Sequence, residues 1–219
     1  MYLPSHFAEE RLDLLHEAIR AHPFATLITQ GASGVAADHL PFLLQPLSGA
    51  LGTLQGHLAR ANPAWLAASD VATNVLVIFH GPQAYVSPSW YPTKQEHGKV
   101  VPTWNYQVIH ARGQLRVIDD PDWKRALLDG LTREHEAAFP EPWQVADAPS
   151  QYIDRLLTAI VGIEIEITDL EGKFKLSQNQ PEVNRAGVIA GLGERNERNA
   201  QELAALMTQR ECRKDCDAG

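Results

Sequence analysis

The sequence predicts an α+β protein with a β-barrel or β-sandwich core and peripheral helices. Three observations lead there. Six or more strand-like segments arrive mostly without helices between them, which argues against a doubly wound sheet. The clearest of these segments, 161–168, puts Ile163, Ile165 and Ile167 on one face and Glu164 and Glu166 on the other, as in a half-buried strand. The longer helical patterns fall near the N-terminus and after residue 120.

In chain order, 8–21 reads as a helix. Leu12, Leu15 and Ile19 share a face flanked by Leu14 and Ala18, acidic residues suit its start, and Pro23 ends it. Strands are expected at 24–30, 35–44 and 51–58, the first ended by the turn-like Gly31-Ala32-Ser33-Gly34. Asn62 and Pro63 announce a short helix to Ala68, as N-cap and first helical residue. Segments 74–80 and 83–87 read as two strands separated by Gly81-Pro82, and 108–118 as another. Asp120 then caps a helix from Pro121 with Trp123, Ala126, Leu127 and Leu131 as its stripe. A short helix is expected near 152–157 and two more at 181–192 and 194–209, followed by a polar, disordered tail at 210–219. The domain reading is a barrel over 1–170, helices packed on it over 171–209, and the tail.

Composition narrows the function classes. The chain has 219 residues, 44% hydrophobic and 21% charged, an ordinary globular balance. Its two cysteines, Cys212 and Cys216, sit in the last eight residues, so a disulfide-stapled core is excluded. A net charge of −8 disfavours non-specific attraction to DNA or anionic lipid. No run is long and apolar enough to span a bilayer as a helix, and the start does not read as a signal peptide; a cytoplasmic location without membrane attachment is expected. Glycine-rich nucleotide loops, the His-Glu-x-x-His pattern and Gly-x-Ser-x-Gly are absent, and no metal site is expected. The last helix mixes charges in Glu194-Arg195-Asn196-Glu197-Arg198-Asn199, unlike a DNA-recognition helix.

Four segments carry unusual chemistry at or beyond predicted strand ends: Gly56-His57-Leu58-Ala59-Arg60-Ala61-Asn62-Pro63, Val86-Ser87-Pro88-Ser89-Trp90-Tyr91-Pro92-Thr93-Lys94, Val101-Pro102-Thr103-Trp104-Asn105-Tyr106 and Lys175-Leu176-Ser177-Gln178-Asn179. They pool basic, hydroxyl, amide and aromatic groups where binding sites tend to lie. Arg60, Lys94, Ser87, Ser89 and Thr103 suit a phosphate. Trp90, Tyr91, Trp104 and Tyr106 suit a flat ring, and Asn105 and Gln178 a polar ring edge. Each alone is more often a packing anchor, a turn or a surface ion pair. The set points to a polar, aromatic, anion-accepting pocket without identifying its ligand.

The opening Met1-Tyr2-Leu3-Pro4-Ser5-His6-Phe7, these four segments and Asn184-Arg185-Ala186-Gly187-Val188-Ile189-Ala190-Gly191-Leu192 resemble the motifs of PaiB-type proteins, an FMN-binding family named for negative control of transcription. The resemblance runs from residue 1 to about 207. It implies a split β-barrel of the pyridoxamine-phosphate-oxidase type with a C-terminal helical extension, and a homodimer holding FMN near its interface. The cofactor-binding set it suggests is His57, Arg60, Asn62, Ser87, Ser89, Trp90, Tyr91, Lys94, Thr103, Trp104, Asn105, Tyr106, Lys175 and Gln178, with 57–60 near the phosphate and Asp38-His39-Leu40-Pro41 running past the ring. Three readings stay open: a transcriptional regulator that senses flavin or a small molecule, with direct DNA binding doubtful; an FMN-dependent oxidoreductase, for which His39, His57 and Tyr106 could assist proton transfer; and a haem-binding member of the fold.

Overall fold

The computed structural model describes residues 1–31, 34–68 and 73–217. Its strands are β1 (Ala8–Glu9), β2 (Phe24–Gly31), β3 (Gly34–Pro41), β4 (Leu43–Gln45), β5 (Thr53–Ala59), β6 (Thr73–Val86), β7 (Thr103–Ile118) and β8 (Ile160–Lys175). They form an eight-stranded sheet in the order β3-β2-β6-β7-β8-β5-β4, with β1 paired to β8. The helices are α1 (Leu12–Ala21), α2 (Lys94–His97), α3 (Pro121–Glu136), α4 (Ser150–Thr158), α5 (Glu182–Gly193) and α6 (Arg198–Asp217). This is the α+β architecture that the alternation predicts.

The chain divides into two compact units that interleave along the sequence. One comprises Met1–Glu10, His80–Ile109 and Glu171–Gly219, the other Arg11–Phe79 and His110–Leu170. The sequence reading instead cuts at 170 and 209. The difference arises from β6, β7 and β8, whose 14, 16 and 16 residues each contribute to both units. The first unit buries Val86, Phe174 and Leu176 together with Val188 and Leu192 of α5 and Leu203 and Met207 of α6. The second buries Ile19, Leu27, Phe42, Leu54, Val77, Ile163 and Ile165.

Several boundaries differ for physical reasons. The first helix starts at Leu12, because Ala8 and Glu9 pair with Lys173 and Gly172 of β8. Gly81-Pro82 does not divide β6. The pairing of β6 with β2 ends at Ile78, before the proline, whose missing N–H is therefore not needed on that side. β7 begins at Thr103 and β8 ends at Lys175, so residues 103–106 of the third loop segment are strand, as is Lys175, the first residue of the fourth. On α3 the buried stripe takes Lys124 and leaves Ala126 exposed. The Lys124 ammonium donates to Asp119 Oδ1 and Leu157 O, each at 2.8 Å, which compensates its burial. The expected caps are present. Asp120 accepts from Trp123 N at 2.7 Å, and Asn62 Oδ1 from Ala64 N at 2.9 Å. Helix α6 runs through Asp217, where a disordered tail after 209 is expected from the polar sequence. Ala32 and Ser33 of the expected turn, the Cys216 side chain, Ala218 and Gly219 lie outside the described residues.

Candidate functional site

In the first unit, alternation along three neighbouring strands sorts side chains between a buried and an outer face. Ala84 and Val86 of β6, Asn105 and Gln107 of β7 and Phe174 of β8 are buried. The opposite parity is at least partly exposed: Tyr85, Trp104, Tyr106, Lys173 and Lys175. Trp104 is 53% exposed and Tyr85 40%, and their rings meet edge to face with centroids 6.3 Å apart. The Lys173 ammonium lies 5.6 Å from the centroid of Tyr106 and 5.6 Å from that of Tyr2. The Lys175 ammonium donates to Thr103 Oγ1 and, at 2.6 Å, to Trp104 O, leaving one N–H without a partner among the described residues. Burial first, and repulsion from Lys173 second, hold its pKa below the ordinary lysine value. An aromatic surface and a partly desolvated cation thus share one sheet face.

Most of the other predicted residues in this unit have packing or hydrogen-bond partners within it. Asn105 is fully buried and donates from Nδ2 to Ser177 Oγ at 2.8 Å, while its Oδ1 has no hydrogen-bond partner among the described residues. Tyr91 is 4% exposed, and its burial raises the hydroxyl pKa, an effect that the neighbouring Ser177 side chain opposes. Gln178 accepts from Leu176 N at 2.7 Å and donates to Phe174 O, so both ends of its amide brace their own turn. Trp90 is a packing anchor. A Cβ on Gly191 would stand 2.4 Å from its indole, and one on Gly187 2.1 Å from its carbonyl oxygen. Ser87 accepts from Ser89 N at 3.2 Å and caps the 3-10 turn Pro88–Trp90; Ser89 and Lys94 are exposed.

His57, Arg60 and Asn62 belong to the second unit. His57 stands opposite Gly162 in the β5–β8 pairing, and Trp123 of α3 fills the space that a Gly162 side chain would take. Cross-strand partners share a face, so His57 lies on the face that carries α3. Its Nδ1 is buried with no partner among the described residues, and desolvation lowers its pKa. Arg60 donates from Nη2 to Asp119 at 2.6 Å and to Ile160 O at 3.1 Å, and from Nε to Thr158 O at 2.7 Å. Held by Arg60 and Lys124, the Asp119 carboxyl falls to about 2. Asn62 Nδ2 donates to Asp38 Oδ1 at 2.6 Å, and Thr26 Oγ1 and His39 Nδ1 lie 3.1 Å apart. Each of these groups has a local role within the unit. An open pocket of about 250 Å³ in this unit is lined by Ser48, Gly49, Thr53, Gln114, Arg116, Glu164 and Glu166, none of them predicted.

Tyr85 and Lys173, which share this face, lie outside the four segments singled out from the sequence; Ser177 lies within the fourth but is given no role there. The alternation Lys173-Phe174-Lys175 was the available signal for Lys173. Nothing local marks Tyr85 as a neighbour of Trp104.

Comparison with known proteins bears on the ligand. Residues 1–169 match the family described as "Putative FMN-binding domain". The chain is 30% identical to protease synthase and sporulation protein PAI 2 of Bacillus subtilis, over 94% of this chain and 96% of that one. It is 36% identical to an uncharacterized protein of Emericella nidulans, over 87% of this chain and 90% of that one. Among solved structures, the FAD- and haem-binding protein of Mycobacterium smegmatis aligns with a TM-score of 0.57 at 18% identity, covering 84% of this chain and 80% of that one. The flavocytochrome Anf3 of Azotobacter vinelandii aligns at 0.52 and 12%, covering 82% and 75%. These likenesses identify the fold as the split β-barrel of flavin-binding proteins.

Proposed function

Because the chain belongs to the FMN-binding family that includes PaiB-type proteins, we propose that it is a flavin-responsive regulator holding FMN on the outer face of β6, β7 and β8. The observation that carries the site is the pairing of exposed Trp104 with Lys175 on that face. Neighbouring strands lie roughly 5 Å apart, so three of them span roughly 10 Å, the scale of a three-ring system. Trp104, with Tyr85 at its edge and Tyr106 beside it, offers the ring an apolar surface. Lys175, held by Thr103, offers a phosphate its remaining N–H, and exposed Lys94 and Ser89 are further donors. When bound, FMN supplies electron or hydride transfer; the protein supplies binding, orientation and shielding.

The regulatory part rests on the name of the Bacillus relative, which ties that protein to protease synthesis and sporulation. With a net charge of −8, regulation is expected to pass through a partner or small molecule rather than direct DNA contact. A cytoplasmic homodimer, with both subunits lining each site, is the form proposed. A second reading, an FMN-dependent oxidoreductase, is favoured by the exposure of Trp104, which leaves room for a substrate over a bound ring. Absorbance and fluorescence titration with FMN, riboflavin and haem tests the site. Saturable FMN binding, weaker riboflavin binding, and loss of the difference in Lys175→Ala are expected. Equal affinity for FMN and riboflavin would remove Lys175 from the site. Flavin reduction by NAD(P)H with multiple turnovers would favour the oxidoreductase over the sensor.

A further inference from the structure

We infer that Ser177 is a positioning residue for this flavin site, and that Tyr91 and Asn105 act through it rather than on the cofactor. The inference rests on the proposed placement of the phosphate at Lys175. Ser177 has φ +61°, the one non-glycine residue among those described with a left-handed backbone. Side chains there crowd their own backbone, and such conformations persist where surrounding structure enforces them. Glycine would remove the crowding. Serine brings a hydroxyl instead; the residue is 3% exposed, its Oγ accepts from Asn105 Nδ2 at 2.8 Å, and the buried Tyr91 side chain neighbours it.

The Asn105 side chain carries a second cost. Its Oδ1 is buried with no partner among the described residues, a penalty that an apolar side chain would avoid. Both costs meet at one hydrogen bond, which ties β7 to the turn just beyond β8. Lys175 ties the same two segments two residues earlier, through Thr103 and the Trp104 carbonyl. Gln178 closes the turn onto Phe174 and Leu176, so hydrogen bonds brace residues 174–178 into one piece. The left-handed residue sets where that piece turns, and hence where the Lys175 ammonium stands against Trp104.

The test uses the full chain. FMN and riboflavin affinities are measured for the wild type, Ser177→Gly, Tyr91→Phe and Lys175→Ala, with circular dichroism to verify folding. Ser177→Gly keeps the backbone conformation accessible and removes only the hydroxyl's anchoring. It is expected to lower FMN affinity about tenfold while leaving riboflavin within about twofold, the pattern of a displaced charged contact. Combined with Lys175→Ala it should add nothing further. Tyr91→Phe, a milder change that serves if the glycine variant fails to fold, should shift the ratio in the same direction. An unchanged FMN-to-riboflavin ratio in the folded Ser177 and Tyr91 variants, with a ratio lowered by Lys175→Ala, would overturn the positioning role alone. A ratio unmoved by Lys175→Ala would overturn the site placement and this inference with it.

Discussion

Lys175 and Arg60 carry the same charge, yet their surroundings commit them differently. Arg60 spends Nε and Nη2 on the Asp119 carboxylate and the carbonyls of Thr158 and Ile160, whereas the Lys175 ammonium donates to two neutral oxygens, Thr103 Oγ1 and Trp104 O, and its charge is left without a carboxylate among the described residues. The sequence could not distinguish them, since Asp119 lies 59 residues from Arg60 and Thr103 lies 72 from Lys175. Only the protonated amine attracts a phosphate, and the Lys175 pKa is held below its usual 10.5. The advantage of FMN over riboflavin is therefore expected to decline as pH rises, before an ordinary lysine would titrate; titrations at stepped alkaline pH measure this, and Lys175→Ala should flatten the profile. Asp119 behaves oppositely. Its folded pKa of about 2 lies below the ordinary 3.8, so between them the folded chain binds fewer protons than the unfolded one. The stabilisation is complete above 3.8 and drains as pH falls toward 2. Asp119→Asn should cost on the order of 1–3 kcal/mol at neutral pH, chiefly because Lys124 stays buried with its anionic partner gone. The share owed to Arg60, which is partly exposed like Asp119, is screened by solvent and small. Denaturation midpoints of wild type and variant should converge in strong acid.

Among the elements, those governed by local rules were legible. Period-two alternation gives the strands, and Asp120-Pro121 and Asn62-Pro63 give two helix starts. What long-range pairing decides was not. Nothing in Ala8-Glu9 announces a strand; β8 makes it one. The Gly187–Gly191 spacing on α5 is likewise explained only by Trp90, which lies about a hundred residues earlier and fills the space both glycines leave. Helix propensity alone favours Gly191→Ala by about 1 kcal/mol. The new methyl would meet the indole at 2.4 Å, and overpacking of that kind costs roughly 1–3 kcal/mol. The steric effect should win. Chemical denaturation is expected to find Gly191→Ala destabilised, with stability partly recovered when Trp90→Leu is added. A stabilised single variant would mean that Trp90 swings aside freely, and its role as anchor would be lost.

For the whole molecule, the fold class and ligand class were legible because both are spread over many residues, whereas which candidate site residues share a compact unit depends on strand pairing that no single segment announces. The sequence pools His57, Arg60 and Asn62 with Trp104 and Lys175; the first three belong to one compact unit and the last two to the other, each set with its own local partners. This separation has a thermodynamic consequence. If FMN binds only the folded chain, it stabilises by RT ln(1 + [L]/Kd), about 2.7 kcal/mol at a hundredfold excess over Kd. In a chain of 219 residues each kilocalorie moves the melting temperature by about 2–4 °C, so a rise of roughly 5–10 °C is expected. Riboflavin at the same concentration lacks the contact worth about 1.5–3 kcal/mol to a charged partner, and should raise it by no more than about half as much. Arg60→Ala and Lys175→Ala then separate the two sets. Arg60→Ala is expected to lower the melting temperature without ligand and to leave the FMN-induced rise intact. Lys175→Ala should do the reverse, melting near the wild type while responding to FMN only as it does to riboflavin. The opposite assignment in a thermal-shift series would move the phosphate to Arg60, and with it the whole site from one compact unit to the other.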